Sequence, residues 1–520
     1  MTVTARAGRA ALLGCTLLWA APAAAQSGDV PLIMLKPQGA SALSGSRLKN
    51  LYAAIKKRSE NAKGQVLPLT KTEVWMVPEA KVEGVRKAAA RYGVVMNRLS
   101  AAWNQVFRRA PAEARINERQ RSLMDRAKAS LAALGVGMMA TPQAPLVEYA
   151  LTKDAQAQGP ARDAASITVT LSDSTQLTLR RTGVEVRADM CIWRGVVDGT
   201  GEPATLMWWP GGRTSGTIQH AGRLYSIRHL GGELHAVVEM AENRMPLEHA
   251  PLVPRPRRDD PTLRDDPLVQ QGDASAVRPG GSRAKPPVEG SAAAASGAPG
   301  TEVIIDVMVA YTSKAAGNYA DIKHDLVDLA VEEANESFRI SGLGHIKLRL
   351  VHAYETDYVE QGEHFEHLYR MVDRGDGHME DVHKLRDRYR ADVVVLIVDD
   401  ARGCGLATRV YADADEAFAV VHHECAATTY SLAHEVGHLI GARHDLNLDK
   451  IMTPFPYGHG FVSGSRWRDI MSYKESCGGC PRVPVWSSPL VKIRGEAAGT
   501  PNLDNARVIR EQAVRVAAFR

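Results

Sequence analysis

Hydrophobic and polar positions along this chain change their spacing from one region to the next. Between about residues 44 and 135 apolar residues recur at helical intervals: Val85, Ala88, Ala89, Tyr92, Met96, Leu99, Trp103 and Val106, then, after Pro111, Ile116, Leu123, Ala127, Leu131 and Leu134. From about 166 to 242 the period drops to two. Ile167/Val169/Leu171, Leu177/Leu179 and Val184/Val186 alternate with polar residues, and short apolar runs at Met190–Val197, Leu206–Trp209, Leu224–Ile227 and Leu234–Val238 sit between glycine-rich turns. This predicts a small antiparallel β unit. Residues 251–301 carry almost no large apolar side chains and are rich in Pro, Gly, Ala and Ser, which predicts a linker that cannot bury a core. From Val303 onward strands and helices alternate: strand Val303–Tyr311, a helix at about 322–340, strand Ile346–Tyr354, a helix at about 379–389 and strand Asp392–Val398. Such alternation with short connections predicts an α/β domain.

The termini of these regions change the picture of where the chain works. Arg6 and Arg9 precede an apolar stretch, Ala10 to Ala21, too short to span a bilayer, and Ala23-Ala24-Ala25 offers a small-residue cleavage site. Residues 1–25 therefore read as a signal peptide, which makes the chain secreted (extracellular or periplasmic) and disulfides permissible. Cys15, in L-L-G-C, has the look of a lipid-attachment cysteine, but the apolar run ahead of it is short and continues beyond it, so export into solution is the expectation, with no stable membrane insertion. A net charge of +5 over 520 residues gives no case for a nucleic-acid partner.

The chemistry is concentrated in His434 to Asp445, H-E-V-G-H-L-I-G-A-R-H-D. On a helix His434 and His438 project from one face, each able to offer a neutral ring nitrogen to one tetrahedral zinc. Glu435, one position round the helix, reaches a water at the metal without ligating it. Gly441 permits a positive φ and a sharp helix end, after which His444 supplies a third ligand. Three protein ligands leave one position for water and substrate, as a catalytic zinc requires. The bland alternative is a helix with ordinary surface histidines. Two methionines follow, Met452 in I-M-T-P and Met471 in D-I-M-S-Y.

H-E-x-x-H-x-x-G-x-x-H followed by a methionine turn resembles the metzincin zinc proteases. A-H-E-V-G-H-L-I-G-A-R-H-D looks like their reprolysin-like branch. Y-G-H-G-F at Tyr457–Phe461, W-R-D-I-M-S-Y at Trp467–Tyr473, W-S-S-P at Trp486–Pro489 and D-N-A-R-V-I at Asp504–Ile509 are similar to bacterial peptidyl-aspartate (Asp-N-type) metalloendopeptidases. The resemblance spans roughly the last 220 residues. It implies that Met471, rather than Met452, is the Met-turn residue. It also implies an antiparallel edge strand, here Gly405–Tyr411, that pairs with substrate, followed by a strand at Ala417–His422. Tyr473 resembles a tyrosine that ligates zinc or donates to the oxyanion in related branches, the alternative being a packing tyrosine. Cleavage before aspartate would need a cationic pocket. Arg482, Lys474, Arg466 and Arg409 are candidates among which the sequence does not choose.

The remaining residues admit two readings each. Asp445 is either a partner that orients His444 through backbone hydrogen bonds or a solvated turn residue. Cys404, Cys425, Cys477 and Cys480 allow three pairings, in which Cys404 and Cys425 flank the edge hairpin and C-G-G-C can close locally. Cys191 is the odd cysteine, either a latch whose thiolate holds zinc in an inactive form or a buried thiol. His422 and His423, adjacent on a strand, would face opposite ways and read as loop or surface histidines.

The expectation is thus a secreted zinc endopeptidase made as a proenzyme, acting on protein or peptide substrates with its own propeptide as inhibitor. The fold class is a metzincin-like α/β (α+β) catalytic domain at 302–520, with a mixed, mostly parallel sheet and an active-site helix. Ahead of it come a helical pro-region at 26–150, a β-rich pro-region at 160–250 and a linker with the processing site at 251–301. One zinc ion is expected, while calcium is left open. A permanently attached front domain, a catalytically silent binding protein on the same fold and another zinc amide hydrolase are the competing readings. The intact Glu435 and ligand set argue against the silent one.

Overall fold

The computed structural model describes residues 29–98 and 166–248 with short breaks, and 116–140 and 302–520 continuously. The signal segment, Cys15, the linker 251–301 and the helical pattern at Trp103 and Val106 lie outside them. The described residues form two compact units, one up to residue 98 and one from 116 onward.

The first unit corrects the all-helical expectation for residues 26–150. Strands β1 (Asp29–Leu35), β2 (Gly64–Val66), β3 (Glu73–Pro78) and β4 (Val95–Arg98) form an antiparallel sheet in the order β2-β3-β1-β4, with helices α1 (Gly45–Arg58) and α2 (Val82–Ala90). The helical period running through Val85, Ala88 and Ala89 stops because Gly93 takes a φ of 73°. Met96 then enters the core from β4 rather than from a continuing helix.

In the second unit, helix α3 (Glu118–Lys128) is N-capped by Asn117 in a capping box with Gln120. The next segment is a strand, β5 (Ala133–Ala140), not a continued helix. It pairs with the last strand of a meander made of β6 (Ser166–Thr170), β7 (Gln176–Val186), β8 (Cys191–Val197), β9 (Pro203–Trp208), β10 (Thr214–His220), β11 (Arg223–Gly231) and β12 (Leu234–Ala241). The eight-stranded antiparallel order is β5-β12-β11-β10-β9-β8-β7-β6. Sequence period misses β10 because its residues are mostly small or polar, and β5 because Gly135 and Gly137 interrupt its apolar run. Cross-strand pairing with long neighbours, not amphipathic alternation, holds them in place.

Residues 302–520 form the expected mixed sheet: β13 (Val303–Tyr311), β14 (Ile346–Glu355), β15 (Val393–Val398), β16 (Gly405–Ala407) and β17 (Phe418–His422), in the order β14-β13-β15-β17-β16. All pairs are parallel except β16 with β17, which places β16 antiparallel at the edge. Along the chain the helices are α4 (Ser313–Ala316), α5 (Asp328–Ile340, entered through a π turn at Lys323–Val327), α6 (His364–Val372), α7 (Asp381–Tyr389), α8 (Ser431–Ile440) and α9 (Asn505–Val516). Ile305, Val307, Val309, Val393, Val395 and Ile397 meet Leu329, Phe338, Val436 and Leu439 in one core. Met190, Ile192, Met207 and Trp209 of the preceding β sheet join it, so the two sheets share buried apolar surface. Burial of this kind is worth roughly 25 cal/mol per Å².

Candidate metal centre and substrate cleft

Helix α8 starts at Tyr430, whose φ of 60° turns the chain into it, and every one of its residues is buried. Its C-terminal end is closed by other elements. The N–H groups of Tyr411 and Ala412 donate to the carbonyls of His438 and Leu439. From α9, Arg515 donates to the Ile440 and Ala412 carbonyls, a cation at a helix C-terminus. Gly441 takes a φ of 134° and the chain reverses. A Cβ at Gly441 would also meet Phe455 at 2.9 Å. Strand β16 is shorter than expected because the chain leaves the sheet after Ala407 to make these contacts.

The reversal brings the three histidine rings together. His444 Nε2 lies 3.2 Å from His434 Nε2 and 2.8 Å from His438 Nε2. Nitrogens around a tetrahedral zinc at about 2.05 Å are separated by about 3.3 Å, so the three atoms outline a ligand set. The outward nitrogens are held by backbone: His434 Nδ1 contacts the Ile470 carbonyl at 2.8 Å and His438 Nδ1 the Ala442 carbonyl at 2.9 Å. This fixes the rings with Nε2 inward, as a metal site requires. Among the described residues the three form one of two groups with metal-binding geometry.

Met471 is fully buried below α8, and a Cβ on Gly437 would come within 3.4 Å of its sulfur and 2.5 Å of the Trp486 ring. Met452, in contrast, is exposed. The Tyr473 ring packs on His444 with centroids 4.5 Å apart. Asp445 bonds backwards and forwards, accepting from the Tyr473 N–H at 3.1 Å, the Asn447 N–H at 3.0 Å and the Ser476 hydroxyl at 2.7 Å. Glu435 is buried against β16, where a Cβ at Gly405 would fall 2.4 Å from its Oε1. Burial holds the Glu435 carboxyl well above the usual range. Arg482 and a backbone hydrogen bond from Ala407 oppose that rise, and Glu248 reinforces it.

Several residues to which sequence reasoning gave no role, His459 among them as a plain turn residue, surround the three histidines. Asn505 accepts from the Arg443 N–H and donates to the Arg443 carbonyl, clamping the residue before the third histidine. His459 Nδ1 contacts the His444 carbonyl at 2.9 Å. Asp469 is buried, accepting from Ser472 and the Ser487 N–H, and burial pushes its carboxyl up to about 6. Their only signal was membership of the short segments Y-G-H-G-F, D-I-M-S-Y, W-S-S-P and D-N-A-R-V-I.

Of the four cationic candidates, Arg466 is exposed on Glu496 and Arg409 pairs with Glu416. Arg482 is buried, donating to the Thr429 carbonyl at 2.7 Å and to the Ser472 carbonyl. Beside it stands Arg468, which the sequence reading missed. A backbone bridge joins the two residues, and Arg468 donates to the Ser472 carbonyl at 3.0 Å. Both guanidinium groups pair with Glu248, and Arg468 also with Glu242. Lys474 donates to the Met245 carbonyl at 3.3 Å.

The sulfurs pair as Cys404–Cys425 and Cys477–Cys480. Cys191 is free and fully buried in β8, outside the histidine cluster, and burial pushes its thiol up to about 12. A zinc latch needs a thiolate facing the metal, so this geometry favours the buried-thiol reading. His422 and His423 are buried rather than on the surface, His422 ending β17 and His423 opening the turn that follows. His423 bonds Tyr319, and both rings lie near Asp399 in the second group with metal-binding geometry.

A model of the family described as Metallo-peptidase family M12 matches residues 301–487. A peptidyl-Asp metalloendopeptidase of Xanthomonas campestris pv. campestris is 37% identical over 312 residues, which cover 60% of this chain and 68% of that protein. This chain belongs to the family of these peptidyl-Asp metalloendopeptidases, with an M12-type metallopeptidase match confined to residues 301–487. It is accordingly a zinc metalloendopeptidase, and the family implies a metal at the site that the three histidines outline. A peptidyl-Asp metalloendopeptidase of Stenotrophomonas maltophilia is 37% identical over 315 residues, 60% of this chain and 69% of its own. One from Pseudomonas fragi is 38% identical over 99 residues, 19% of this chain and 63% of its own. Among the described residues no helix is long and apolar enough to cross a membrane.

Proposed function

We propose that this metallopeptidase is exported as a proenzyme and, once processed, cuts peptide chains on the N-terminal side of aspartate. The observation that carries the reading is the convergence of His434, His438 and His444 beside a buried Glu435 at the sheet edge. His434, His438 and His444 would hold a zinc ion, which when bound would supply the Lewis acidity for water activation and carbonyl polarisation. Glu435 accepts the proton of the attacking water and passes it to the leaving amine. Tyr473, packed on His444, donates to the oxyanion. Met471 supports the floor of the site, and Asp445 ties the third ligand to the turn that carries Tyr473. Substrate lies extended along β16, adding a strand to the edge.

Aspartate preference is supported by the names of the relatives and by the paired, buried guanidinium groups of Arg468 and Arg482 next to Ser472 and Tyr473. Export is supported by the signal-like segment at residues 1–25, and processing by the linker at 251–301. Digestion of a denatured protein, mapped by mass spectrometry, tests the specificity. Cuts should cluster before aspartate and vanish with chelator. A digest with no aspartate enrichment rejects that specificity while leaving the peptidase standing.

A further inference from the structure

The segment just after β12 packs against the loops that flank β16 and the Met471 turn. Its Leu247 carbonyl accepts the N–H of Cys404, the residue that leads into edge strand β16, at 2.7 Å. The Met245 carbonyl accepts from Lys474, and Met245 packs with the Cys404–Cys425 pair. Leu247 is thus held through its backbone next to the start of the edge strand. The next residue, Glu248, turns its carboxylate onto Arg482 and Arg468, 2.7 Å from Arg468 Nη2. Glu242, from the same segment, reaches Arg468 and accepts from the Arg482 N–H. Burial alone would raise the Glu248 carboxyl, yet Arg482 and Arg468 hold it below the usual carboxylate range.

Two adjacent buried guanidinium groups need anions. Within 302–520 the two arginines donate to carbonyls of Thr429, Ser472 and Cys480. Those groups satisfy N–H donors but carry no charge. Among the described residues, every ion pair of Arg468 and Arg482 runs to Glu242 or Glu248, both ahead of the linker. Breaking a buried ion pair by removing one partner is costly, so the pair is built for a carboxylate that arrives from outside the catalytic domain. Arg482 donates to the Thr429 carbonyl just ahead of helix α8, and both arginines donate to the carbonyl of Ser472, the neighbour of the Tyr473 that packs on His444, which ties the pocket to the elements carrying the histidines.

We propose that Arg468 and Arg482 form the carboxylate-binding pocket of the protease and that Glu248 fills it in the uncut chain, acting as an internal stand-in for the acidic side chain of substrate. This rests on the aspartate-directed reading above and supplies its regulation: latency comes from a carboxylate seated in the specificity pocket, not from a thiol on the metal. Displacing residues 242–248 after processing empties the pocket for aspartate.

A synthetic peptide of residues 242–248 added to the processed enzyme tests this directly. It should inhibit competitively against an aspartate-containing reporter peptide, and the same peptide carrying Glu248→Gln should inhibit at least ~10-fold less well, as expected for loss of a charge-assisted contact. In the full-length uncut protein, Glu248→Gln should raise activity on that reporter above the latent level. Equal inhibition by the two peptides, or none by either, would overturn the proposal, as would a folded Glu248→Gln protein as latent as the parent. Should that variant fail to fold, the peptide pair decides. The digest map separates the two readings. Cuts before aspartate with no effect of Glu248→Gln would sink the stand-in alone. A charge-dependent peptide inhibitor of an enzyme that ignores aspartate would sink the aspartate reading and keep the pocket.

Discussion

The carboxylate of Asp445 accepts the backbone N–H of Tyr473 at 3.1 Å, joining the turn of the third histidine to the turn beneath the metal centre. Asp445 therefore anchors the backbone just after His444, while His459 Nδ1 contacts the His444 carbonyl. Asp445→Ala should weaken zinc retention about 10–100-fold, the usual cost of removing a group that orients a ligand. Asp445→Asn should lose less, since its amide oxygen still accepts from Tyr473. Competition with a chelator reads both, and unaltered zinc affinity in the alanine variant would place Asp445 outside the centre's support.

Gly405 is required by contact and not by φ. A methyl group there would sit 2.4 Å from Glu435 Oε1. Gly405→Ala should keep zinc and fold but lower kcat by about 10-fold or more, because a displacement near 1 Å at a reacting group is that costly. Wild-type kcat in this variant would show that Glu435 tolerates a different position.

Cys191 lies in β8 opposite Trp208, fully buried. Cys191→Ser should leave the uncut protein latent and cost about 1–3 kcal/mol of stability through a buried hydroxyl. Thermal melts and the reporter assay measure the two effects. Activation of the uncut chain by this change would restore the thiol latch.

The front sheet and the catalytic domain meet across buried carboxylates, which makes their association depend on pH. Burial pushes the Glu333 carboxyl up to about 8, against the hydrogen bond from Thr217 and with the neighbouring Glu336 and Glu332 adding to the rise. Asp325 is likewise raised to about 8 by burial. A folded-state value above the unfolded one means that the docked form binds more protons between about pH 4.5 and 8, so docking weakens as pH rises through that window. Chain nicked in the linker should stay associated at pH 5.5 and separate more readily at pH 8.5 on gel filtration. Tighter association at the higher pH would contradict this sign.

Much of the catalytic domain could be read from the chain because its strands are continuous apolar runs and its metal motif is local. Val303–Tyr311 and Val393–Val398 need no partner to be recognised. Helix α6 was missed because histidines and glutamates obscure its apolar face, although Leu368 and Met371 are fully buried. The front region misled because helical spacing from Val85 to Met96 spans a helix, a glycine turn and a strand. At the site, the three histidines and Glu435 were legible because one helix and one turn carry them. Arg468, Asn505 and Glu248 were not. Their roles arise from contacts across 220 residues of sequence in one case and 62 in another, and no local pattern encodes such distances.

The most direct test of the account is peptidase turnover and zinc content measured together in the processed Glu435→Gln protein. The glutamine amide cannot accept the proton of the attacking water, while His434, His438 and His444 remain in place. The account predicts about one zinc per chain, an unchanged melting profile and a loss of kcat of about 100-fold or more. Turnover close to the parent's in that folded, zinc-loaded variant would contradict it.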